Sequence, residues 1–231
     1  MTSAQRSVPV ALERLAGGLV VSCQAREDNP LYGPVFMAAM AQAAVAGGAV
    51  GIRADGVTDI SAIRAAIGPE IPIMGISKFK LPDGGLFITP TGESAEAIIS
   101  VGANLVALES TTRPRPGGES LAQVVEAIHA AGSLAMADCG TIEDARVAVE
   151  AGADAVGTTM SGYVGGPKQD GPDFALIEQM VSELPIPVFA EGRFWTREDA
   201  RKALDLGALF VVVGTAITNP QAVTERFIAA L

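Results

Sequence analysis

One phrase recurs along this chain: a helical stretch closes on Ala-Gly or a near equivalent, and a short β-branched run follows it. It appears as VAGGAVGIRA, SVGANLVALES, HAAGSLAMADC, EAGADAVGTTM and DLGALFVVVGT. The glycine suits a left-handed helix C-cap, and the runs that follow are too apolar on both faces for a sheet with one wet side. They read as strands of a parallel sheet covered by helices.

Counting every such run gives eight strands, around Leu19 to Ser22, Val50 to Ile52, Ile73 to Ile76, Leu105 to Leu108, Leu134 to Ala137, Ala155 to Gly157, Val188 to Ala190 and Leu209 to Val213. Helical patterns alternate with them and begin near Pro34, Asp59, Ser94, Ser120, Ile142, Asp173, Arg197 and Gln221, several just after a Thr, Ser or Asp able to cap them. Such alternation across 231 residues predicts one closed (β/α)8 TIM barrel domain over 1–231, with an open doubly wound sheet as the alternative. The insert LPDGGLFITPTG after the third strand is long for a βα loop and holds another strand-like run, Leu86 to Thr89. It reads as a structured wall or lid over the barrel mouth.

Composition narrows the partners. A net charge of -10 without a basic stripe argues against nucleic acid. No apolar run approaches the ~18 residues that span a bilayer, and MTSAQRSVPV lacks a long apolar core, so a cytoplasmic protein with no membrane contact is expected. Cys23 and Cys139 each lie in an apolar run and read as reduced thiols. The one histidine, His129, sits in the helical context VVEAIHAAG, which argues against serine triads and multi-histidine metal sites. Glu109, Asp138 and Glu191 are possible Mg²⁺ ligands, but Lys78, Arg53 and Arg193 offset their charge, and no G-x-G-x-x-G follows a strand. A site without metal or cofactor is expected.

In a barrel of this kind the residues just past the strands form the site. In order these are Gln24, Arg53, Lys78, Glu109, Asp138, Thr158 with Thr159, Glu191 with Arg193, and Gly214 with Thr215, a polar set converging on one volume. AEGRF and VVVGTAITNP place a glycine past each of the last two strands, the usual phosphate position, which makes Gly192, Gly214 and Thr215 the candidate phosphate contacts. Lys78 follows the third strand directly and can serve as Schiff-base nucleophile, general base or fixed cation; Lys80 reads as a rim cation further along a loop.

Taken in order from Gly17 to Phe227, the segments GGLVVSCQA, VGIRA, GISK, ITPT, RPRP, MAD, VGTTMSGY, AEGR and VVVGTAIT resemble the N-acetylmannosamine-6-phosphate 2-epimerase family of sialic acid breakdown. The resemblance implies interconversion of N-acetylmannosamine 6-phosphate and N-acetylglucosamine 6-phosphate by inversion at C2, without cofactor, by a homodimer. It assigns Lys78 in GISK to removal of the C2 proton and Glu191 in AEGR to opening and closing of the sugar ring. Gln24, Arg53 and Asp138 match substrate contacts, with Arg193 as a further one beside the phosphate. This suits the chemistry, since a proton beside the C1 aldehyde is removable by a base if the resulting enolate is stabilised electrostatically.

Three positions depart from the family pattern. ALEST replaces ALDAT, giving the longer Glu109; MADCGT puts Gly140 where a hydroxyl is common; AITNP puts Asn219 where a basic residue is common, leaving Lys168 or Lys80 as substitutes. The C-terminal QAVTERFIAAL reads as an amphipathic helix covering the barrel wall or meeting a partner subunit. Two rival readings remain: a class I phosphosugar aldolase using Lys78 as a Schiff base, and a non-catalytic phosphosugar-binding protein.

Overall fold

A computed structural model describes residues 8–164 and 169–231; Lys168 lies outside the described residues. The strands are β1 (Leu19–Cys23), β2 (Gly51–Asp55), β3 (Ile73–Ile76), β4 (Lys78–Lys80), β5 (Leu86–Ile88), β6 (Leu105–Glu109), β7 (Leu134–Asp138), β8 (Ala155–Gly157), β9 (Val188–Glu191) and β10 (Val211–Val213). The helices are α1 (Val10–Glu13), α2 (Pro34–Ala46), α3 (Gly56–Ile67), α4 (Gly92–Ser100), α5 (Leu121–Ala130), α6 (Ile142–Glu150), α7 (Phe174–Glu183), α8 (Arg197–Asp205), α9 (Thr215–Thr218) and α10 (Pro220–Ile228).

Eight parallel strands close in the order β1-β2-β3-β6-β7-β8-β9-β10, with β10 returning to β1, so the fold is the (β/α)8 barrel and the open doubly wound sheet is excluded. No helix among the described residues is long and apolar enough to cross a membrane. Helix starts follow the side-chain chemistry. Thr91, Ser120 and Thr141 each accept the N3 amide while the N3 side chain accepts from the cap, leaving fewer orphan amides at α4, α5 and α6.

Strand alternation builds the site directly. Leu105 and Ala107 belong to the cluster inside the barrel, whereas Val106 and Leu108 pack outward against helices. The same alternation puts Val20, Met74, Met136 and Phe189 inside, where Phe189 and Phe210 stack with ring centroids 5.4 Å apart. Continuing each inward series by two residues toward the strand's end gives Ser22 and Gln24, Arg53 and Asp55, Lys78, Glu109, Asp138, Thr159, Glu191 and Gly214. The apolar plug therefore gives way to a polar layer at the C-terminal mouth. Gly157 is required within the plug, because a Cβ there would meet Phe189 Cε2 at 2.1 Å.

Three local expectations differ. β2 extends through Asp55, past the expected end at Ile52, because its pairing with β3 continues to Ile76. The stretch holding Lys80 is not a loop: β4 pairs antiparallel with β5, Lys78 opposite Ile88 and Lys80 opposite Leu86. And α10 buries none of its residues, leaving Phe227 and Ile228 exposed, with Arg226 stacked over Trp195 at 4.6 Å.

Candidate active site

Arg53 is the centre of the mouth. Its side chain is 1% exposed, and its two terminal nitrogens reach two carboxylates from strands on other parts of the barrel. Nη2 and Nη1 donate to Asp138 Oδ2 and Oδ1 at 2.6 and 3.1 Å, and Nη1 also lies 2.9 Å from Glu191 Oε2. Thr159 Oγ1 joins the two acids, donating to Asp138 Oδ1 at 2.5 Å with Glu191 Oε2 at 3.3 Å. Fork geometry of this kind is what a guanidinium offers and an ammonium does not.

One cation therefore stands between two acids, and their environments differ. Burial pushes Glu191 up to about 7 against the pull of Arg53, Thr159 and Lys78, with Asp138 adding to the rise. Burial pulls the Arg53 guanidinium down, but Asp138 and Glu191 outweigh it and hold it above its ordinary value. Glu191 can thus give or take a proton near neutrality beside a permanent positive charge.

Lys78 occupies the same mouth from the hairpin. Its Nζ donates to Gln24 Oε1 at 2.5 Å and lies 3.3 Å from Asp55 Oδ2, while its backbone N–H donates to Asp55 Oδ1 at 3.0 Å. Gln24 is itself oriented by donating from Nε2 to Ser22 Oγ at 2.7 Å. Asp55 was not among the residues expected from the strand ends. The signal that finds it is the alternation itself, since Asp55 lies two residues after the inward-facing Arg53.

On the β9 and β10 side, Gly192 and Arg193 both adopt the left-handed region, with φ of 112° and 59°. Such backbone is free for glycine and strained for arginine, and strain of this kind gathers at functional turns. The Arg193 guanidinium is committed to the segment after β8: it donates to the carbonyls of Gly171 at 2.7 Å and of Ser161, and stands 5.6 Å from the Tyr163 ring. Gly214 precedes α9, whose first amides have no intrahelical acceptor, and Thr218 Oγ1 ties that turn to the carbonyl of Ser22 at 2.9 Å. Asn219 caps α10, accepting from Ala222 N at 3.1 Å.

The structure thus joins Gln24, Arg53, Lys78, Asp138 and Glu191 in one polar layer and sets Gly192, Gly214 and Thr215 at the adjoining turns. Glu109, though inward on β6, is fully buried and turned to Arg113, which donates to its two oxygens at 2.8 and 2.7 Å. The thiols stand apart from this chemistry: burial pushes Cys23 up to about 12 and Cys139 well above the usual thiol range, which keeps both neutral.

Comparison with known proteins gives one consistent answer. Residues 37–231 match the family described as "Putative N-acetylmannosamine-6-phosphate epimerase". A Cutibacterium acnes protein described as "Putative N-acetylmannosamine-6-phosphate 2-epimerase" is 49% identical over 221 residues, covering 94% of this chain and 95% of that protein. One of the same description from Clostridioides difficile is 44% identical, covering 95% and 98%. The solved N-acetylmannosamine-6-phosphate 2-epimerase from Clostridium perfringens superposes with a TM-score of 0.92 at 43% identity, over the whole of both chains. The chain belongs to the N-acetylmannosamine-6-phosphate epimerase family.

Proposed function

We propose that this protein interconverts N-acetylmannosamine 6-phosphate and N-acetylglucosamine 6-phosphate by removing and returning the proton at C2. The observation that carries the reading is a strand-end lysine amine and a carboxyl held near neutral pKa in one barrel mouth, in a chain of this family. An isomerisation of this type leaves composition and oxidation state unchanged, so it needs no electron acceptor and no group carrier.

Glu191 serves the ring: a proton delivered to the ring oxygen and one removed from the anomeric hydroxyl expose the C1 aldehyde. Lys78 then takes the proton from C2, and the electron pair moves to the C1 oxygen as an enolate. Arg53, itself buried, provides the fixed positive field for that charge, and its paired nitrogens keep Asp138 and Glu191 in place. Gln24 is a polar contact of the sugar and also orients the lysine, while Asp138, buried behind Arg53, fixes the guanidinium that faces the substrate. The phosphate rests on the turns of Gly192, Gly214 and Thr215, and Arg193 supports the first of them by donating to the carbonyls of Ser161 and Gly171.

Lys78→Ala tests the assignment: turnover falls to background while binding of the phosphosugar persists. Borohydride in the presence of substrate leaves Lys78 unmodified; covalent trapping would favour the aldolase reading instead. Retained turnover in the variant would remove Lys78 from the reaction. A cytoplasmic homodimer of one-domain chains completes the proposal, supported by the bare apolar face of α10, and sedimentation at the mass of one chain would exclude it.

A further inference from the structure

We propose that Glu109 and Arg113, with Phe87 and Arg115, are positioning residues that lock the β4–β5 hairpin and so hold Lys78 over the substrate. This rests on the reading of Lys78 as the C2 base. A two-stranded hairpin of three-residue strands is marginal alone, and all three residues of β4 are exposed. Its hold comes from the other strand.

Phe87 is fully buried beneath the hairpin, and the guanidinium carbons of Arg113 and Arg115 each stand 5.2 Å from its ring centroid. Arg113 Nη2 donates to the carbonyl of Leu86 at 2.8 Å while the same fork grips Glu109. Arg115 donates to the carbonyls of Glu109 and Thr89, at 2.5 and 3.3 Å. Thr89, left-handed at φ 46°, closes the base: its hydroxyl donates to Ala107 O at 2.7 Å and accepts from Ser77 N at 3.1 Å, beside Lys78. The end of β6 is thereby bolted to both ends of β5, and β5 carries Lys78 across the ladder from Ile88. Glu109 would otherwise be a substrate carboxylate at a strand end; with its oxygens held by Arg113 and Thr111, it acts through the hairpin.

The test compares the full chain with Arg113→Met, with Glu109→Gln/Arg113→Met, which leaves no unpaired buried carboxylate, and with Phe87→Leu, which keeps every charge paired. Misplacing a reacting group by about 1 Å lowers rate about 100-fold, so kcat should fall by about that factor while KM stays within about threefold. Arg113→Lys should recover part of the loss, and amide hydrogen exchange over residues 77–89 should quicken in the loosened variants. Unchanged kcat, a rise in KM with kcat held, or unchanged exchange in the hairpin would overturn the proposal. A parent enzyme without epimerase activity would refute the functional reading alone, because the exchange arm judges the lock independently.

Discussion

Arg53→Met strands two acids inside the barrel mouth. Asp138 is fully buried, the Glu191 side chain is 15% exposed, and both lose the cation that contacts them at 2.6 and 2.9 Å. Removing one partner of a buried ion pair destabilises by about 3–5 kcal/mol. In a chain of this size each kcal/mol lowers the unfolding midpoint by about 2–4 °C, so a fall of roughly 6–20 °C is expected at neutral pH. The pH dependence separates this cause from simple loss of packing. Glu191 is already raised to about 7 in the folded protein, and without Arg53 its carboxyl rises further. An acid whose folded pKa is raised contributes stability below its unfolded pKa and loses it as pH climbs through the folded value. The deficit relative to the parent should therefore be largest above about pH 7 and shrink toward pH 5. Thermal unfolding followed by circular dichroism across that range measures it, and adding Glu191→Gln should restore part of the neutral-pH loss. A midpoint shift of under about 2 °C, or a deficit that does not narrow on acidification, would refute the electrostatic account.

Glu191→Gln should lower turnover at least about 100-fold, the lower bound for losing a general acid–base group. Infrared spectra of the parent should show a protonated carboxyl band that fades as pH rises through about 7 and is missing from the variant. Asp55→Asn keeps an acceptor for the Lys78 amide but removes the charge beside Nζ. Since both side chains are over a quarter exposed, turnover should fall by no more than about tenfold, and added salt should reduce the parent in the same direction. Gly157→Ala forces a methyl against the Phe189 ring and should destabilise the barrel by about 1–3 kcal/mol, read from denaturant midpoints; an unshifted midpoint would mean the plug is looser than its geometry implies.

Barrel topology was readable because each glycine-capped helix hands over to a run apolar on both faces, a pattern that local rules specify. Lys78, Arg53, Asp138 and Glu191 were visible for the same reason, as charges standing where apolar runs stop. Partnerships were not. Arg53 meets Asp138 85 positions away, and Lys78 meets Gln24 54 positions away, contacts that exist only once the barrel closes. Asp55 escaped because the apolar run stops at Ile52, although register with β3 carries the strand on through Asp55. Arg193 and Asn219 have side chains occupied by structural hydrogen bonds, one to the carbonyls of Ser161 and Gly171 and the other capping α10. Residue type alone does not distinguish such duties from ligand binding.

Proton transfer at C2 is tested most directly by a proton NMR time course in D₂O with N-acetylmannosamine 6-phosphate. N-acetylglucosamine 6-phosphate should accumulate with deuterium at C2, and Lys78→Ala should abolish both conversion and exchange. Conversion that proceeds with the C2 proton retained from substrate and no solvent deuterium incorporated would contradict it.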